Sequence, residues 1–205
     1  MIGAAGRTGR LVVREGPNRG HSVTAADRHS KDLVTERLTG LRVVVADPLS
    51  TSDLGPPLQN QDGVVSGLGH PLRSTPSLPR DSAMAMEAAL GHPEPLPRYI
   101  LISQGLLSPT RNPGVDLLRV VLRRVTRESV KMERVVRSGA APWTVVRPSR
   151  LLDDPGPPGF IASADARPKG PSSLRRVDRA SFLADEVSLR QYVRQIVGVT
   201  SGLAS

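Results

Sequence analysis

The chain contains no cysteine among its 205 residues. This absence excludes a disulfide framework, a thiolate metal site and a cysteine nucleophile. Aromatic residues form only 2% of the sequence, so any hydrophobic core must be built from Val, Leu, Ile and Ala. No apolar run approaches the length of a membrane span, and no hydrophobic signal segment is present. We therefore expect a soluble, cytoplasmic protein with an aliphatic core and no membrane partner.

Positive charge is abundant, with a formal net charge of +9 that comes almost entirely from arginine. A basic chain favours anionic partners such as nucleotide phosphates or nucleic acid. The arginines are scattered, no nucleic-acid-binding motif is recognisable, and few aromatic residues are available to stack on bases, so nucleic acid is the less favoured partner. The four histidines lack metal-ligand spacing, and no metal site is expected. The length predicts a single domain over residues 1–205.

Three glycines recur at a spacing of three near the amino end, at Gly3, Gly6 and Gly9, and an apolar run follows them. Glycine suits a turn that cradles a pyrophosphate, because a side chain would strike the phosphate or force a forbidden φ. Arg7 and Thr8 stand where a guanidinium and a hydroxyl could bind phosphate oxygens. The pattern predicts a phosphate-binding turn that leads into a helix. The alternative is a flexible, glycine-rich amino end.

Only Met1 and Ile2 precede this turn, whereas the central strand of such a sheet needs about five residues. Either residues have been lost from the start or the first strand is a stub. Gly16-Pro17-Asn18 should interrupt the first helix early, because proline cannot continue a helix interior, so this helix is either short or begins again distorted. Gly55-Pro56-Pro57 should likewise disturb the start of a second helix over 53–60.

Strand patterns alternate with helical patterns along the remaining chain. Strands are predicted over 21–26, 41–46, 63–66, 98–103, 143–147, 160–164 and 196–199, and helices over 82–90, 114–138 and 177–188, with loops over 70–79 and 151–158. Such alternation predicts an α/β fold of the Rossmann-like type, a doubly wound parallel sheet with its first strand truncated.

In such sheets ligands bind beyond the carboxyl ends of the strands. The marked residues that fall there are the glycine turn, Arg28, Asp47, Gly67, Leu68, Gly69, Ser103 and Pro148. An acidic residue about twenty positions past the turn usually binds the ribose 2′-OH, whereas an arginine accommodates a 2′-phosphate. Asp27 and Arg28 occupy that position together, and Arg28 with Lys31 nearby favours NADP. The alternative is a polar turn without a ligand.

Several segments carry a resemblance to a known family, and they follow that family's order: IGAAGRTG at 2–9, DR at 27–28, VVVADP at 43–48, DGVVSGLG at 62–69, ILISQG at 100–105, KMERVVRSG at 131–139, WTVVRP at 143–148 and VDRASFL at 177–183. With them the chain resembles the atypical short-chain dehydrogenase/reductases, a group that includes NmrA-like regulators and reductases of the biliverdin/flavin reductase B type.

The resemblance implies a Rossmann-like domain with NADP(H) bound on the glycine turn. It implies that Gly3, Gly6 and Gly9 hold the phosphates, that Arg7 and Thr8 flank them, that Arg28 favours NADP and that Asp47 lies near the adenine. It further places Ser103 at the end of the strand that carries the catalytic serine in related enzymes. Lys131 falls where the family often has the lysine that contacts the nicotinamide ribose.

The chain departs from the family's Tyr-x-x-x-Lys pair, because Arg127 stands four residues before Lys131. An arginine does not deprotonate under ordinary conditions and cannot serve as the acid. Reduction without a side-chain acid stays possible, since the cofactor carries the hydride and water can supply the proton. We expect an NADP-dependent oxidoreductase that acts on a small carbonyl, quinone or flavin-like acceptor, or else a non-catalytic NADP(H) sensor of the NmrA-like kind. The oligomeric state is not predicted.

Overall fold

The computed structural model describes residues 1–29, 39–69, 75–91, 95–154, 159–170 and 172–202. Its helices are α1 (Arg7–Asn18), α2 (Thr51–Leu58), α3 (Leu78–Leu90), α4 (Pro113–Val121), α5 (Arg123–Ser138) and α6 (Arg176–Leu189), with a short 3-10 helix at Gly105–Leu107. Its strands are β1 (Val23–Asp27), β2 (Leu41–Val45), β3 (Gly63–Ser66), β4 (Arg98–Ile102), β5 (Trp143–Pro148), β6 (Arg150–Leu152), β7 (Phe160–Ala164), β8 (Ser173–Arg175) and β9 (Gln195–Ser201).

The central sheet is almost entirely parallel. Five strands run in the order β3-β4-β5-β9-β7, and only β7 pairs antiparallel to its neighbour. Strands β1 and β2 form a parallel pair beside them, and β6 with β8 forms a small separate pair. Parallel neighbours require crossover connections, which are usually helices. The α/β prediction with a doubly wound parallel sheet is confirmed.

The first two residues join the two parts of the sheet. Ile2 forms parallel bridges to both Ala26 and Ser66. Its N–H donates to the carbonyl of Val65 at 2.9 Å, and its own carbonyl accepts from the N–H of Gly67 at 3.0 Å. Met1 and Ile2 therefore occupy the position of a central strand between β1 and β3. The truncated first strand is present as a two-residue stub at the centre of the sheet.

Helices cover both faces of the sheet, and successive residues of β4 show how the core is divided. Tyr99 and Leu101 pack in one cluster with side chains from α2, α3 and α5, whereas Ile100 and Ile102 pack in a second cluster with side chains from α1 and α6. Alternate strand residues point to opposite faces, so one apolar strand contributes to both layers. Every residue of β4 is buried, as an apolar parallel strand requires.

The helices differ from the predicted ones at positions where prolines or long-range contacts determine where a helix ends. Helix α1 continues to Asn18 with Pro17 in its last turn, and α2 continues through Pro56 and Pro57. Each proline removes one hydrogen bond to the carbonyl four residues earlier, and each helix ends one residue after its last proline. The Ser50 side chain starts α2 by accepting the Asp53 N–H at 3.2 Å.

The predicted helix over 114–138 is two helices, and its break lies at Leu122, with φ −94° and ψ 20°. Arg119 holds α4 in its own direction, because its guanidinium donates to the carbonyls of Leu106 and Ser108 at 2.7 and 2.6 Å. The predicted loop over 151–158 contains the end of β6, and residues 155–158 lie outside the described part. Among the described residues, no helix is long and apolar enough to cross a membrane.

Candidate functional site

The glycine turn lies at the carboxyl edge of the sheet, and each glycine has its own steric reason. Gly3 has a φ of +74°, and a Cβ there would lie 3.0 Å from Leu68 Cδ2. A Cβ on Gly9 would lie 2.2 Å from the carbonyl oxygen of Gly3 and 2.6 Å from that of Ala4. Gly3 therefore makes the turn, and Gly9 lets α1 pack directly against it. Gly6 is the N-cap of α1, in an extended conformation.

The amino end of α1 presents unpaired donors. No side chain caps this helix, and no acidic residue stands in its first turn. The first N–H groups of a helix have no intrahelical acceptor, and the helix dipole gives this end a partial positive charge. Thr8 is buried, and its Oγ1 has no hydrogen-bond partner within the described residues. Orphan donors beside a side-chain-free cradle are what a phosphate group requires, so the turn fits the pyrophosphate of a dinucleotide.

At the end of β1, the side chains of Asp27 and Arg28 have different surroundings. The carboxylate of Asp27 turns toward the glycine turn and accepts the N–H of Ala5 at 3.1 Å, while its other oxygen accepts the N–H of His29 at 3.3 Å. Arg28 is exposed and lines a cavity beside Gly3. Lys31, which the sequence placed near Arg28, lies outside the described residues.

That cavity opens between the carboxyl ends of β1, β2 and β3. Its walls are mainly apolar and come from Ile2, Gly3, Ala26, Asp27, Arg28, Ala46, Pro48, Leu54, Leu68 and Leu78. Asp47 stands between two of these lining residues, and its carboxylate accepts the N–H of Leu49 at 3.0 Å. Gly67 and Gly69 flank Leu68 at the end of β3. The structure thus brings the predicted cofactor residues of the first three strand ends to one crevice.

Ser103 directly follows β4, on the other side of the turn, and belongs to a buried polar network. Its hydroxyl donates to Glu133 Oε1 at 2.5 Å. Arg147 of β5 donates to both oxygens of the same carboxylate, from Nε at 3.0 Å and from Nη2 at 2.7 Å. The guanidinium also donates to the carbonyl of Leu107 at 3.0 Å. Pro148 follows in β5 and is buried. Ser103 is therefore held by a bidentate ion pair between α5 and β5.

Lys131 does not join this network. Its ammonium group bonds to Glu128 at 2.7 Å, and about half of its side chain is exposed. Residues 131 and 133 lie about 200° apart around a helix, so Lys131 and Glu133 point in opposite directions from α5. The structure places the two predicted catalytic side chains, Ser103 and Lys131, on separate carboxylates. Their catalytic role stays a prediction.

The sequence reasoning gave no role to Glu133, Arg147 or the arginines of α6. Arg176 begins α6 and bonds to Asp153, which also pairs with Arg7 at 3.0 Å. These residues are far apart in the sequence, so no local pattern signals their contact. The only signal was indirect, because segments 131–139, 143–148 and 177–183 all carried the family resemblance.

A family model described as NAD(P)H-binding matches residues 3–188. The oxidoreductase ylbE of Lactococcus lactis superposes with a TM-score of 0.82 at 16% identity, over 100% of this chain and 91% of that one. A candidate NADH-flavin reductase of Streptococcus pneumoniae gives a TM-score of 0.75 at 19% identity, over 98% and 97%.

A short-chain dehydrogenase/reductase of Veillonella parvula, solved in complex with NADP, gives a TM-score of 0.74 at 17% identity, over 98% of this chain and 92% of that one. At these identities the three structures show a shared fold. A shared fold does not identify the acceptor, because function is decided by the residues of the site.

Proposed function

The chain belongs to the NAD(P)H-binding family, and from that premise we propose that it is an NADP(H)-dependent oxidoreductase that transfers hydride to a small carbonyl, quinone or flavin-like acceptor. The observation that carries the NADP preference is the position of Arg28. Arg28 is exposed and lines the cavity at the end of β1, one strand away from the glycine turn, and no described residue binds its guanidinium. An arginine at this place suits a ribose 2′-phosphate.

The remaining residues of the crevice bind different parts of the cofactor and the acceptor. The first N–H groups of α1 and the Thr8 hydroxyl hold the pyrophosphate, and the apolar wall around Leu68 receives the adenosine end. When bound, the nicotinamide cofactor supplies the hydride. Ser103 and Pro148 then border the half of the crevice toward β4 and β5, where the acceptor binds.

The proton is supplied by water, because neither tyrosine of the chain lies at this edge. Tyr99 stands near the amino end of β4, where its hydroxyl meets Met86 Sδ at 3.4 Å and burial raises its pKa. Tyr192 precedes β9 and packs near Phe182. The Ser103 hydroxyl is already bonded to Glu133. The protein therefore contributes binding and orientation rather than proton transfer.

The position of both tyrosines away from this edge also favours a second candidate function, a cofactor sensor of the NmrA-like kind. A site that binds NADP(H) without a side-chain acid could report the redox state of the cofactor to a partner. The two functions differ in turnover. A small-molecule acceptor is therefore proposed for the enzyme and a macromolecular partner for the sensor.

The test compares Arg28→Ala with Arg42→Ala, an exposed arginine at the second position of β2, toward the amino edge. NADPH and NADH are titrated by nicotinamide fluorescence. We expect Arg28→Ala to weaken NADPH about tenfold or more and NADH little, because one charge-assisted contact contributes about 1.5–3 kcal/mol. Arg42→Ala should change neither. Equal losses for NADPH and NADH in Arg28→Ala would remove Arg28 from the 2′-phosphate role.

Turnover is then followed by the loss of nicotinamide absorbance after FMN, riboflavin or a quinone is added. Oxidation of NADPH by any of them supports the enzyme. Tight NADPH binding with no oxidation supports the sensor. Salt-sensitive DNA binding without NADPH binding would contradict both proposals.

A further inference from the structure

Arg179 is a buried arginine that lacks a counter-ion in the described part of the chain. It lies in the second turn of α6, only 7% of its surface is exposed, and its Nε has no hydrogen-bond partner there. A buried guanidinium without a carboxylate or other acceptor is costly to the fold. The other buried arginine of the described residues, Arg98, has an acid partner in Glu186. The exception at Arg179 therefore requires a reason.

Two further arginines stand close to it. Burial together with the positive charges of Arg176 and Arg7 lowers the pKa of Arg179 to about 9, which leaves the group charged at neutral pH. Arg7 and Arg176 share one carboxylate, that of Asp153, which is more than half exposed. Two guanidinium groups thus share a single acid, and the third, that of Arg179, has no described acid partner. Positive charge is concentrated here although the arginines are scattered in the sequence.

This concentration lies where two helices begin. Helix α1 leaves the carboxyl edge of the sheet after the stub strand, and α6 starts at the same edge because it leads into β9. The two helices pack along each other. The uncapped amino end of α1 lies at this edge as well, and Thr8, whose buried Oγ1 has no described partner, is the second residue of that helix. Two buried, unpartnered polar side chains and a helix amino end therefore mark the same place from two distant segments.

We propose that Arg179, Arg176 and Arg7, together with Thr8, form a binding site for phosphate oxygens between the amino ends of α1 and α6. The carboxylate of Asp153, which bonds to both Arg7 and Arg176, is more than half exposed and leaves the rest of each guanidinium free for a ligand's oxygens. The last helix, as well as the glycine turn, thus takes part in binding.

The identity of the phosphate rests on the proposed function, which offers two sources. One is the pyrophosphate of the cofactor, and the other is the phosphate of a phosphorylated acceptor such as FMN. Both present anionic oxygens that bind arginine forks.

The experiment uses Arg179→Met, which keeps much of the length of the side chain and removes its charge, and Arg179→Lys, which keeps a charge. Arg134→Met is the control, since Arg134 is an exposed arginine of α5.

Thermal unfolding is measured with and without inorganic pyrophosphate. We expect pyrophosphate to raise the Tm of the wild type and of Arg134→Met by several degrees. Arg179→Met should lose this rise, and Arg179→Lys should keep part of it. Without pyrophosphate, Arg179→Met should unfold at the wild-type temperature or above, because an unpaired buried charge is gone.

Binding of four probes then identifies the source. A tenfold loss of NADPH affinity in Arg179→Met, with adenosine 2′-monophosphate unchanged, assigns the site to the cofactor pyrophosphate. Unchanged NADPH with a tenfold loss for FMN and none for riboflavin, measured by flavin fluorescence, assigns it to the acceptor. No change for pyrophosphate, NADPH or FMN in Arg179→Met would overturn the inference. If the wild type binds pyrophosphate through Arg179 but does not bind NADPH, the inference stands and the proposed function fails.

Discussion

The carboxylate of Asp27 accepts a hydrogen bond from the backbone N–H of Ala5, with 3.1 Å between the oxygen and the nitrogen. This bond ties the end of β1 to the glycine turn across a separation of 22 residues. Asp27 therefore supports the shape of the phosphate cradle from the neighbouring strand, while Arg28 beside it faces the cavity.

Asp27→Ala should weaken NADPH and NADH by similar factors. The turn loses a charge-assisted hydrogen bond of about 1.5–3 kcal/mol, and both cofactors share the pyrophosphate that the turn holds. We expect about a tenfold loss for each in a fluorescence titration. Asp62→Ala, at an exposed aspartate on the amino side of β3, is the control and should leave both affinities unchanged. A loss confined to NADH would contradict this role and would place Asp27 on the ribose hydroxyls.

Gly9→Ala should abolish cofactor binding and lower stability. The added methyl group would meet the backbone oxygens of Gly3 and Ala4 at 2.2 and 2.6 Å, so α1 must move away from the turn. Overpacking of this kind costs about 1–3 kcal/mol. Gly55→Ala is the matched control for cofactor binding, because nothing beyond its chain neighbours lies within 4 Å of its Cβ. No gain in stability is expected from it, because Pro56 disfavours a side chain on the helical residue before it. Thermal unfolding and NADPH titration check both variants. Wild-type NADPH affinity in Gly9→Ala would show that the turn tolerates a wider spacing.

Much of the fold could be predicted because its signals are local. The apolar run from Tyr99 to Ile102 can only be a buried strand, and the spacing of Gly3, Gly6 and Gly9 identifies a turn before a helix. The sequence also indicates that only two residues precede Gly3, so the first strand is either a stub or has lost residues from its start.

What could not be predicted depends on contacts between distant segments. The break at Leu122 has no glycine or proline to signal it, because Arg119 fixes α4 through carbonyls of the preceding loop. The family resemblance paired Ser103 with Lys131. The Ser103 hydroxyl donates instead to Glu133, which lies 30 residues further along the chain. A charge pattern along the chain gives no indication that Arg179 is buried without an acid.

Glu133→Gln should destabilise the protein strongly, whereas Lys131→Gln should not. Glu133 is 4% exposed and is bound by Arg147 and Ser103, so its removal leaves a nearly buried guanidinium without its partner. Breaking one side of such a pair costs about 3–5 kcal/mol. Lys131 makes a half-exposed ion pair, and such pairs contribute about 0–1 kcal/mol. The free energies of unfolding are measured in urea at pH 7.

The two variants also separate stability from catalysis. If Lys131 contacts the nicotinamide ribose, Lys131→Gln should raise the KM for NADPH while the free energy of unfolding stays near the wild-type value. An unchanged KM for NADPH would remove Lys131 from the site.

Glu87→Gln should stabilise the protein at neutral pH and lose that effect in acid. Glu87 lies on α3 near Tyr99; burial raises its pKa above the ordinary value of 4.5, and its Oε1 has no described partner. A carboxyl group with a raised pKa in the folded state binds its proton more tightly there than in the unfolded chain. Stability therefore falls as pH rises from about 4.5 through the folded-state pKa, and the full cost is present at pH 7.

Glutamine removes this titration, so the Tm of Glu87→Gln should exceed the wild-type Tm at pH 7 and converge with it near pH 4. A gain of about 1 kcal/mol corresponds to about 2–4 °C for a chain of this size. Glu128→Gln provides the opposite control, because Lys131 and Arg80 hold the pKa of Glu128 below its usual value. Its removal should lower the Tm at pH 7 and leave it unchanged in acid. A Tm difference for Glu87→Gln that is the same at pH 4 and pH 7 would show that packing around α3, rather than the buried charge, determines the effect.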